Sequence, residues 1–534
     1  MTAPRHRHTG AYVPHLPCLL LLALIAILLN VKHLNEPPAY IHAWAQADNY
    51  SLALGFLHNG GDLWHPQTMI FNKQQFDTTA TAYSTVTACD LPLHHWCAAM
   101  LMRLLGTTQP WVFRGWTLAV VIAGLWALYA LVYLMTRSRL KALLLAAVCT
   151  TAPSFAYYSA SFLPTAPALS CAFAGLMAYA LHTRRKSDGW LYVSLLMLTL
   201  AMLQRTSMAV LWVAVAGFHF LRLLRHETPL RRTWLPFALG AVAFAAYYVW
   251  NMHLRRDYGS LFLASLMPVD SVDHARNVFQ NVHDRWQFHY FQRLQHWLAV
   301  ALLLAAIVCR LLGIRQSAQP KGLSPWWLLA IYAFGEILFG IAMLAQYKDH
   351  DYYFLDSFFL PMLLLMALLL GMLPNTTRQW SRWLSAAAVA ALVVPMTLQA
   401  CRMQDERRKE GTEALATAVN YKSANRLLES AGYGSADTRL LALFAYPQNT
   451  PFCMMDRQGY VVMWNDTAVV NHALTFPYDI IVVEDDVYRR DFDEAGYILG
   501  RLQRIVGNDT LSLCRLADST LHTTADHFFS PIDQ

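Results

Sequence analysis

The sequence predicts an all-α polytopic membrane protein with a small α/β domain after it. Three observations carry that fold class. The 534 residues are 56% hydrophobic and only 14% charged, whereas soluble chains carry about 25% charge. Several apolar runs reach the roughly 20 residues that a bilayer core requires, and a backbone in lipid must satisfy its own hydrogen bonds, so these runs are helices. After residue 401 the pattern changes to short β-branched and aromatic runs separated by helix-like stretches.

Eleven spans can be drawn, near 14–32, 111–135, 142–158, 162–182, 189–204, 206–223, 234–252, 294–312, 325–345, 354–373 and 383–400. The first follows "RHRH" and lacks a small-residue cleavage site, so it reads as a retained span. The loops then sort by charge. "TRSRLK", "HTRRKSDG", "RLLRHETPLRR", "CRLLGIRQSAQPKG" and "NTTRQWSR" are rich in Lys and Arg; "YYSASFLP", "LQRTSM" and "QYKDHDYY" are not. Basic loops stay in the cytoplasm. The expectation is a membrane domain over 1–400 with a first outer loop near 33–110, and an extracytoplasmic α/β domain over 401–534. Loop 253–293 falls outside as well.

Within the first outer loop, "LPLHHWCAAMLMRLLG" is too short to span and fits an interfacial helix. Residues 79–88, "TATAYSTVTA", read as a flexible loop over a site. In the tail, "LLALFAYP", "GYVVMW" and "DIIVVEDD" read as strands, and 411–431 and 491–505 as helices. Glu484 to Asp486 stand at a strand end, where either a site or a solvated acidic loop is expected. Residues 465–467, "NDT", form a glycosylation sequon by pattern alone.

Charge separates the two parts. Residues 402–534 hold 13 Lys and Arg against 19 Asp and Glu; the rest holds 28 against 15. The basic excess belongs to cytoplasmic loops, and nothing points to nucleic acid. Nine cysteines occur without CxxC pairs, so no metal or redox site is suggested. Cys453 and Cys514 share the tail and could pair if it lies outside the cytosol.

The informative residues are polar groups near outer span ends, where charge is costly. Arg205 sits in "MLQRTSM", a turn that barely leaves the membrane. It either snorkels to lipid headgroups or grips a phosphate bidentately. "QYKDHDYYFLD" gathers Lys348, His350, Tyr352 and Tyr353 at a span entrance. The aromatics suit an interfacial belt; Lys348 and His350 could bind a phosphate or a sugar hydroxyl. Asp48, in "HAWAQADNYSLALGF", and Asp90, before "LPLHHW", bracket the first outer loop. His94 opens the interfacial helix as a weaker contact for acceptor or lipid. Arg255 and Arg256 begin loop 253–293 as headgroup contacts. Glu336, mid-span, needs a partner or a proton and suits packing as well as catalysis.

Together these features resemble the GT-C superfamily of membrane glycosyltransferases, over roughly 14–400. The likeness is to its protein-mannosyltransferase-like and lipid A aminoarabinose-transferase-like groups. "HAWAQADNYSLALGFLHNGGDLWHP" resembles the family's H-x-W-R-Q-A-D-T stretch, with Ala45 for the usual Arg, Asn49 for the usual Thr and Asp48 on the family's acid. "CDLPLHHWCAAML" is similar to the family's entry into an interfacial helix, with Asp90 for the more usual Glu. "ASFLPTAPALSCAFAGLMAYAL" resembles the P-E-x-x-x-x-F span without its acid. "LQRTSM" resembles the L-K-P-T turn, and "KDHDYYFLDSFFLP" the H-x-Y-Y-x-L-x-x-x-P motif.

The resemblance implies an inverting transfer of a sugar from a polyprenyl-phosphate donor to an acceptor hydroxyl. It places the reaction at the outer face of a bacterial inner membrane. Asp48 would be the base, and Asp90 would orient the acceptor or assist Asp48. Arg205 would be the main phosphate clamp, with Lys348 and His350 as secondary clamps and Tyr352 and Tyr353 lining the donor site. The partners would be the lipid donor, membrane lipid, and a glycan, lipid or protein acceptor. No cofactor is required, and a divalent metal is not excluded. The alternative is a transporter or flippase of lipid-linked sugars, in which Glu336 would belong to a polar pathway.

Overall fold

The computed structural model describes residues 15–71, 84–263, 265–314, 322–375, 378–435, 437–463, 467–485 and 501–517. In chain order its helices begin with α1 (Leu16–Asn30), α2 (Ala43–His58), α3 (Leu93–Leu105), α4 (Pro110–Thr136), α5 (Arg139–Thr151), α6 (Pro153–Tyr158) and α7 (Thr165–Arg185). There follow α8 (Asp188–Gln204), α9 (Ala209–Leu224), α10 (Leu230–Tyr258), α11 (Val272–Asn281), α12 (Gln287–Tyr290), α13 (Arg293–Leu311) and α14 (Pro325–Ala342). The last are α15 (Tyr352–Asp356), α16 (Phe359–Met372), α17 (Gln379–Arg407), α18 (Thr412–Lys422), α19 (Ala424–Ser430), α20 (Thr450–Met455) and α21 (Thr467–Ala473).

Among the described residues, seven helical stretches are long and apolar enough to cross a membrane: Leu16–His33, Pro110–Thr136, Thr206–Leu224, Thr233–Tyr258, Arg293–Leu311, Pro325–Ala342 and Gln379–Arg407. The chain is a multi-pass membrane protein. Each of these stretches coincides with a drawn span, but the other four of the eleven differ. Helices α8 and α16 have 17 and 14 residues. Helix α7 is buried along most of its length, so its neighbours are protein and it needs no continuous apolar surface. The drawn span 142–158 is two helices. Pro153 keeps Ala152 extended, at φ −64° and ψ 125°, because proline disfavours the helical region for the residue before it.

That break frees carbonyls at the end of α5. Gln295 donates to the Val148 carbonyl at 3.0 Å, and Gln292 to those of Thr151 and Met396 at 2.6 and 2.8 Å. In a bilayer such groups have no water to bond, so two glutamines at the start of α13 satisfy them. A second break comes at Arg205, the extended residue (φ −146°, ψ 104°) that separates α8 from the turn leading into α9.

The chain divides into two compact units. One is built from Met1–Leu34, Arg114–Tyr247 and Ser265–Asp405. The other joins Asn35–Phe113, Tyr248–Ala264 and Glu406–Gln534, so the first outer loop and the tail belong to one body. Its sheet has strands β1 (Leu440–Leu443), β2 (Gly459–Val462), β3 (Ile480–Glu484), β4 (Leu502–Gly507) and β5 (Leu511–Leu516). The order is β2-β1-β3-β5-β4. β1 pairs in parallel with β2 and β3, whereas β5 runs antiparallel to both β3 and β4. Leu441, Leu443, Tyr460, Val462, Ile481 and Val483 build its core with Val470 and Cys514.

Several tail expectations change. Residues 491–500 of the expected helix lie outside the described residues, and 502–505 are strand. "GNDT" closes a hairpin there, with Asn508 Oδ1 accepting the Thr510 and Leu511 N–H groups at 2.9 and 2.7 Å. Of the expected flexible loop, 79–83 lie outside the described residues. Residues 85–88 are buried and tied to the chain before them: Thr68 N–H donates to the Thr85 carbonyl at 2.9 Å and Thr87 N–H to that of Pro66 at 2.8 Å. Asn465 and Asp466 of the sequon, and Asp486, are also outside. Cys453 and Cys514 are free, buried thiols; Cys514 packs in the sheet core, while the Cys453 thiol faces the Ala47 carbonyl at 3.9 Å.

Candidate active site

Helix α2 carries Asp48 into the unit that contains the tail. It starts sharply: His42 is left-handed, with φ 55°, and Gln46 donates back to the Ala39 and Ile41 carbonyls, both at 3.0 Å. Asp48 is not a surface carboxylate. Its Oδ1 accepts hydrogen bonds from Asn449 Nδ2 at 2.8 Å and Gln448 Nε2 at 3.3 Å. The three side chains are 4%, 0% and 1% exposed, so these bonds are shielded from water. Beside them the Tyr446 ring meets Trp44 edge-on at 6.0 Å. Burial, then the negative charges of Glu413 and Asp48, raise the Tyr446 phenol above its ordinary range.

The next residue of α2 ties it to α3. Asn49 donates to the Ala45 carbonyl at 2.7 Å, and its Oδ1 lies 2.8 Å from His95 Nε2. Tyr50, two positions past Asp48, points elsewhere and donates to the Thr108 carbonyl. α3 buries His94, His95, Ala98, Ala99 and Met102, with Leu104 and Leu105 exposed. Burial, with His95 beside it, drives the His94 imidazole well below its ordinary range.

Asp90 precedes α3 in a segment pinned by the end of α10. Asn251 donates to the Cys89 carbonyl and Ser260 to that of Ala88, each at 2.6 Å. The Asp90 charge acts on Arg255, whose Nη2 donates to the Phe262 carbonyl at 3.2 Å. Arg256 is exposed on the same turn.

The other unit gathers a second group. Arg205 binds Asp356, with Nε 2.9 Å from Oδ2 and Nη2 bonded to the same oxygen. Asp356 is fully buried, whereas the arginine side chain keeps 21% exposure. The guanidinium carbon lies 5.7 and 5.8 Å from the ring centroids of Tyr352 and Tyr353. His350 meets both rings, at 5.5 and 6.1 Å. Tyr158 donates to Asp351 at 2.6 Å, fixing the start of α15. Burial, followed by the neighbouring Tyr353, raises the Tyr352 phenol above its ordinary range. Lys348 is tied through its backbone, its carbonyl accepting the Trp286 indole N–H at 2.8 Å. Glu336 is buried on α14, one turn from the buried Tyr332. Among the described residues, no three His, Cys, Asp or Glu side chains are grouped to hold a metal ion.

The structure thus brings Arg205, His350, Tyr352 and Tyr353 together, and sets Asp48 among partners from the tail. Sequence reading misses three residues: Gln448, Asn449 and Asp356. Asp356 has a faint signal, an acid inside an apolar run in "YYFLDSFFLP", which requires a buried cation. The two amides have none, because neutral side chains four hundred residues away carry no periodicity or charge mark.

Residues 89–252 match a family model described as dolichyl-phosphate-mannose-protein mannosyltransferase. Among solved structures, the chain is similar to ArnT from Cupriavidus metallidurans bound to undecaprenyl phosphate. The identity is 13% and the TM-score 0.56, covering 97% of this chain and 100% of that one. It is also similar to the oligosaccharyltransferase AglB from Archaeoglobus fulgidus in complex with an inhibitory peptide and a dolichol-phosphate (12% identity, TM-score 0.52, covering 95% and 75%). A third likeness is to the arabinofuranosyltransferase AftD from Mycobacteria (13% identity, TM-score 0.51, covering 96% and 42%). No curated protein matches the chain by sequence.

Proposed function

Because the chain has the GT-C fold over nearly its whole length, we propose that it is a membrane glycosyltransferase. It would take a sugar from a polyprenyl-phosphate donor and pass it to an acceptor hydroxyl at the outer face of a bacterial inner membrane. The observation that carries this reading is Asp48, an acid on the helix after the first span, buried and hydrogen-bonded. The proteins it resembles in fold are described with undecaprenyl phosphate or dolichol-phosphate bound, which supports a lipid-phosphate donor.

In this reading Asp48 removes the acceptor's hydroxyl proton as its oxygen attacks the anomeric carbon. Proton transfer of this kind contributes about 10²–10⁴-fold. The bond to the lipid phosphate breaks in the same displacement, so configuration inverts. Arg205 stabilises the departing phosphate. The bonds from its Nε and Nη2 to Asp356 hold the guanidinium in place before the donor arrives. Lys348 and His350 assist, and Tyr352 and Tyr353 line the donor site. Asp90 orients the acceptor, with Arg255 beside it. His94 and Arg256 have the weaker parts, toward acceptor or lipid.

The test is transfer of radiolabelled sugar from a polyprenyl-phosphate donor in membranes holding the wild type or Asp48→Asn at equal protein level. Asn keeps the size of Asp and removes the proton acceptor. Transfer should be lost in the variant while donor binding persists, with Asp90→Asn milder; normal transfer in Asp48→Asn rejects the reading. One observation favours transport of lipid-linked sugars instead, the buried Glu336 carboxyl within a span. Movement of labelled donor across liposomes without transfer, lost in Glu336→Gln, would support that second reading.

A further inference from the structure

Gln448 and Asn449 follow β1 by way of Phe444–Pro447. They stand past the C-terminal end of a strand in the parallel part of the sheet, where α/β sheets present their ligand-contacting side chains. Both amides donate to one oxygen, Asp48 Oδ1. Asn449 cannot turn round, because its own Oδ1 accepts the Met69 N–H at 3.2 Å. The backbone around Met69 is itself fixed to β2: Gly459 N–H donates to the Met69 carbonyl at 3.1 Å and Phe71 N–H to the Gly459 carbonyl at 2.9 Å. Tyr446 against Trp44, and the Cys453 thiol against the Ala47 carbonyl, grip the same turn of α2.

We infer that Gln448 and Asn449 are positioning residues for Asp48, so that the tail completes the catalytic centre; this rests on the reading of Asp48 as the base. The terminal torsion of an aspartate is broad and roughly two-fold. Two donors on one oxygen reduce it to a single orientation. Misplacing a reacting group by about 1 Å can cost about 10²-fold in rate, so a base held by one helix alone would lose turnover. A packing role needs only bulk at 448 and 449, whereas a positioning role needs N–H donors there.

The experiment uses the full chain in liposomes, with pH–rate profiles of sugar transfer and binding of a fluorescent polyprenyl phosphate. Asn449→Ala and Gln448→Ala should each lower kcat about tenfold or more, with KM for the donor and lipid-phosphate binding unchanged. Asn449→Asp keeps size but sets a second carboxylate against Asp48. Neighbouring carboxylates resist ionising together, so Asp48 then needs a higher pH to accept a proton. The acid limb of its profile should move up by about one unit or more. Normal kcat in both alanine variants, or an unmoved acid limb in Asn449→Asp, overturns the inference. So does joint loss of kcat and lipid-phosphate binding in all three variants, which assigns the amides to folding. If Asp48→Asn is dead while these variants are normal, only the inference falls; if Asp48→Asn transfers normally, the base assignment falls and takes the inference with it.

Discussion

Arg205 shows what burial does to a single charge. On sequence grounds it either snorkels to lipid or grips a phosphate, since both place an arginine at an outer turn. The structure pairs it with Asp356, an acid with no solvent access. Removing one partner of a buried pair leaves the other charge stranded, at a cost of about 3–5 kcal/mol. Arg205→Ala is therefore expected to lower protein level as well as transfer. Adding Asp356→Asn removes the stranded charge and should restore the level. Loss of a charge-assisted phosphate contact costs about 1.5–3 kcal/mol, so transfer in the double variant should stay about ten- to a hundredfold down. Arg205→Lys should recover part of it, because the charge remains and the planar fork does not. Near-normal transfer per molecule in the double variant would leave Arg205 only a structural partner of Asp356. The sequence marks the arginine by its place on the chain, but its acid could be recognised only once folding put α15 beside the end of α8.

At the scale of the element, α2 is set by one close approach. A Cβ on Gly55 would fall 2.0 Å from the Gln67 carbonyl oxygen, a backbone atom that no rotamer change can clear. Glycine lets α2 lie flat against residues 66–68, the strand-like stretch that leads to Met69 and Asn449. Gly55→Ala should push α2 away from that stretch. Overpacking of this kind costs about 1–3 kcal/mol, and Asp48 moves with the helix, so melting temperature and transfer should fall together. Gly115→Ala, whose Cβ would meet nothing within 4 Å, should leave both unchanged. If Gly55→Ala melts and transfers like the wild type, α2 has slack that this packing denies. The helix α3 was legible in "LPLHHWCAAMLMRLLG", a piece too short to span and mixed in polarity. The break between α5 and α6 rests on a visible proline, yet Gln292 and Gln295, which satisfy the freed carbonyls, lie about 140 positions away and carry no local mark.

For the whole molecule, the loop charges lead to the expectation that the tail is extracytoplasmic. A C-terminal alkaline phosphatase fusion should be active, and a C-terminal green fluorescent protein fusion dark. The reverse pattern would put Asp48 on the wrong side for the proposed reaction. The sequence by itself determined what one-dimensional physics fixes: membrane class from composition and run length, and the strands β1 to β3 from short aliphatic and aromatic runs bounded by turn residues. It also singled out Asp48 and Arg205, because a charge at a membrane edge is costly wherever the chain goes. Tertiary structure alone decided their partners. Asp356 neutralises Arg205, and Gln448 and Asn449 hold Asp48, through contacts that join residues about 150 and 400 positions apart. It also decided that the first outer loop and the tail form one body, with Gly459 of β2 bonded to Met69 and Phe71. A hydrogen bond is made by atoms brought within about 3 Å of each other. Distance along the chain does not enter it, and so those partners could be read only after the chain had folded.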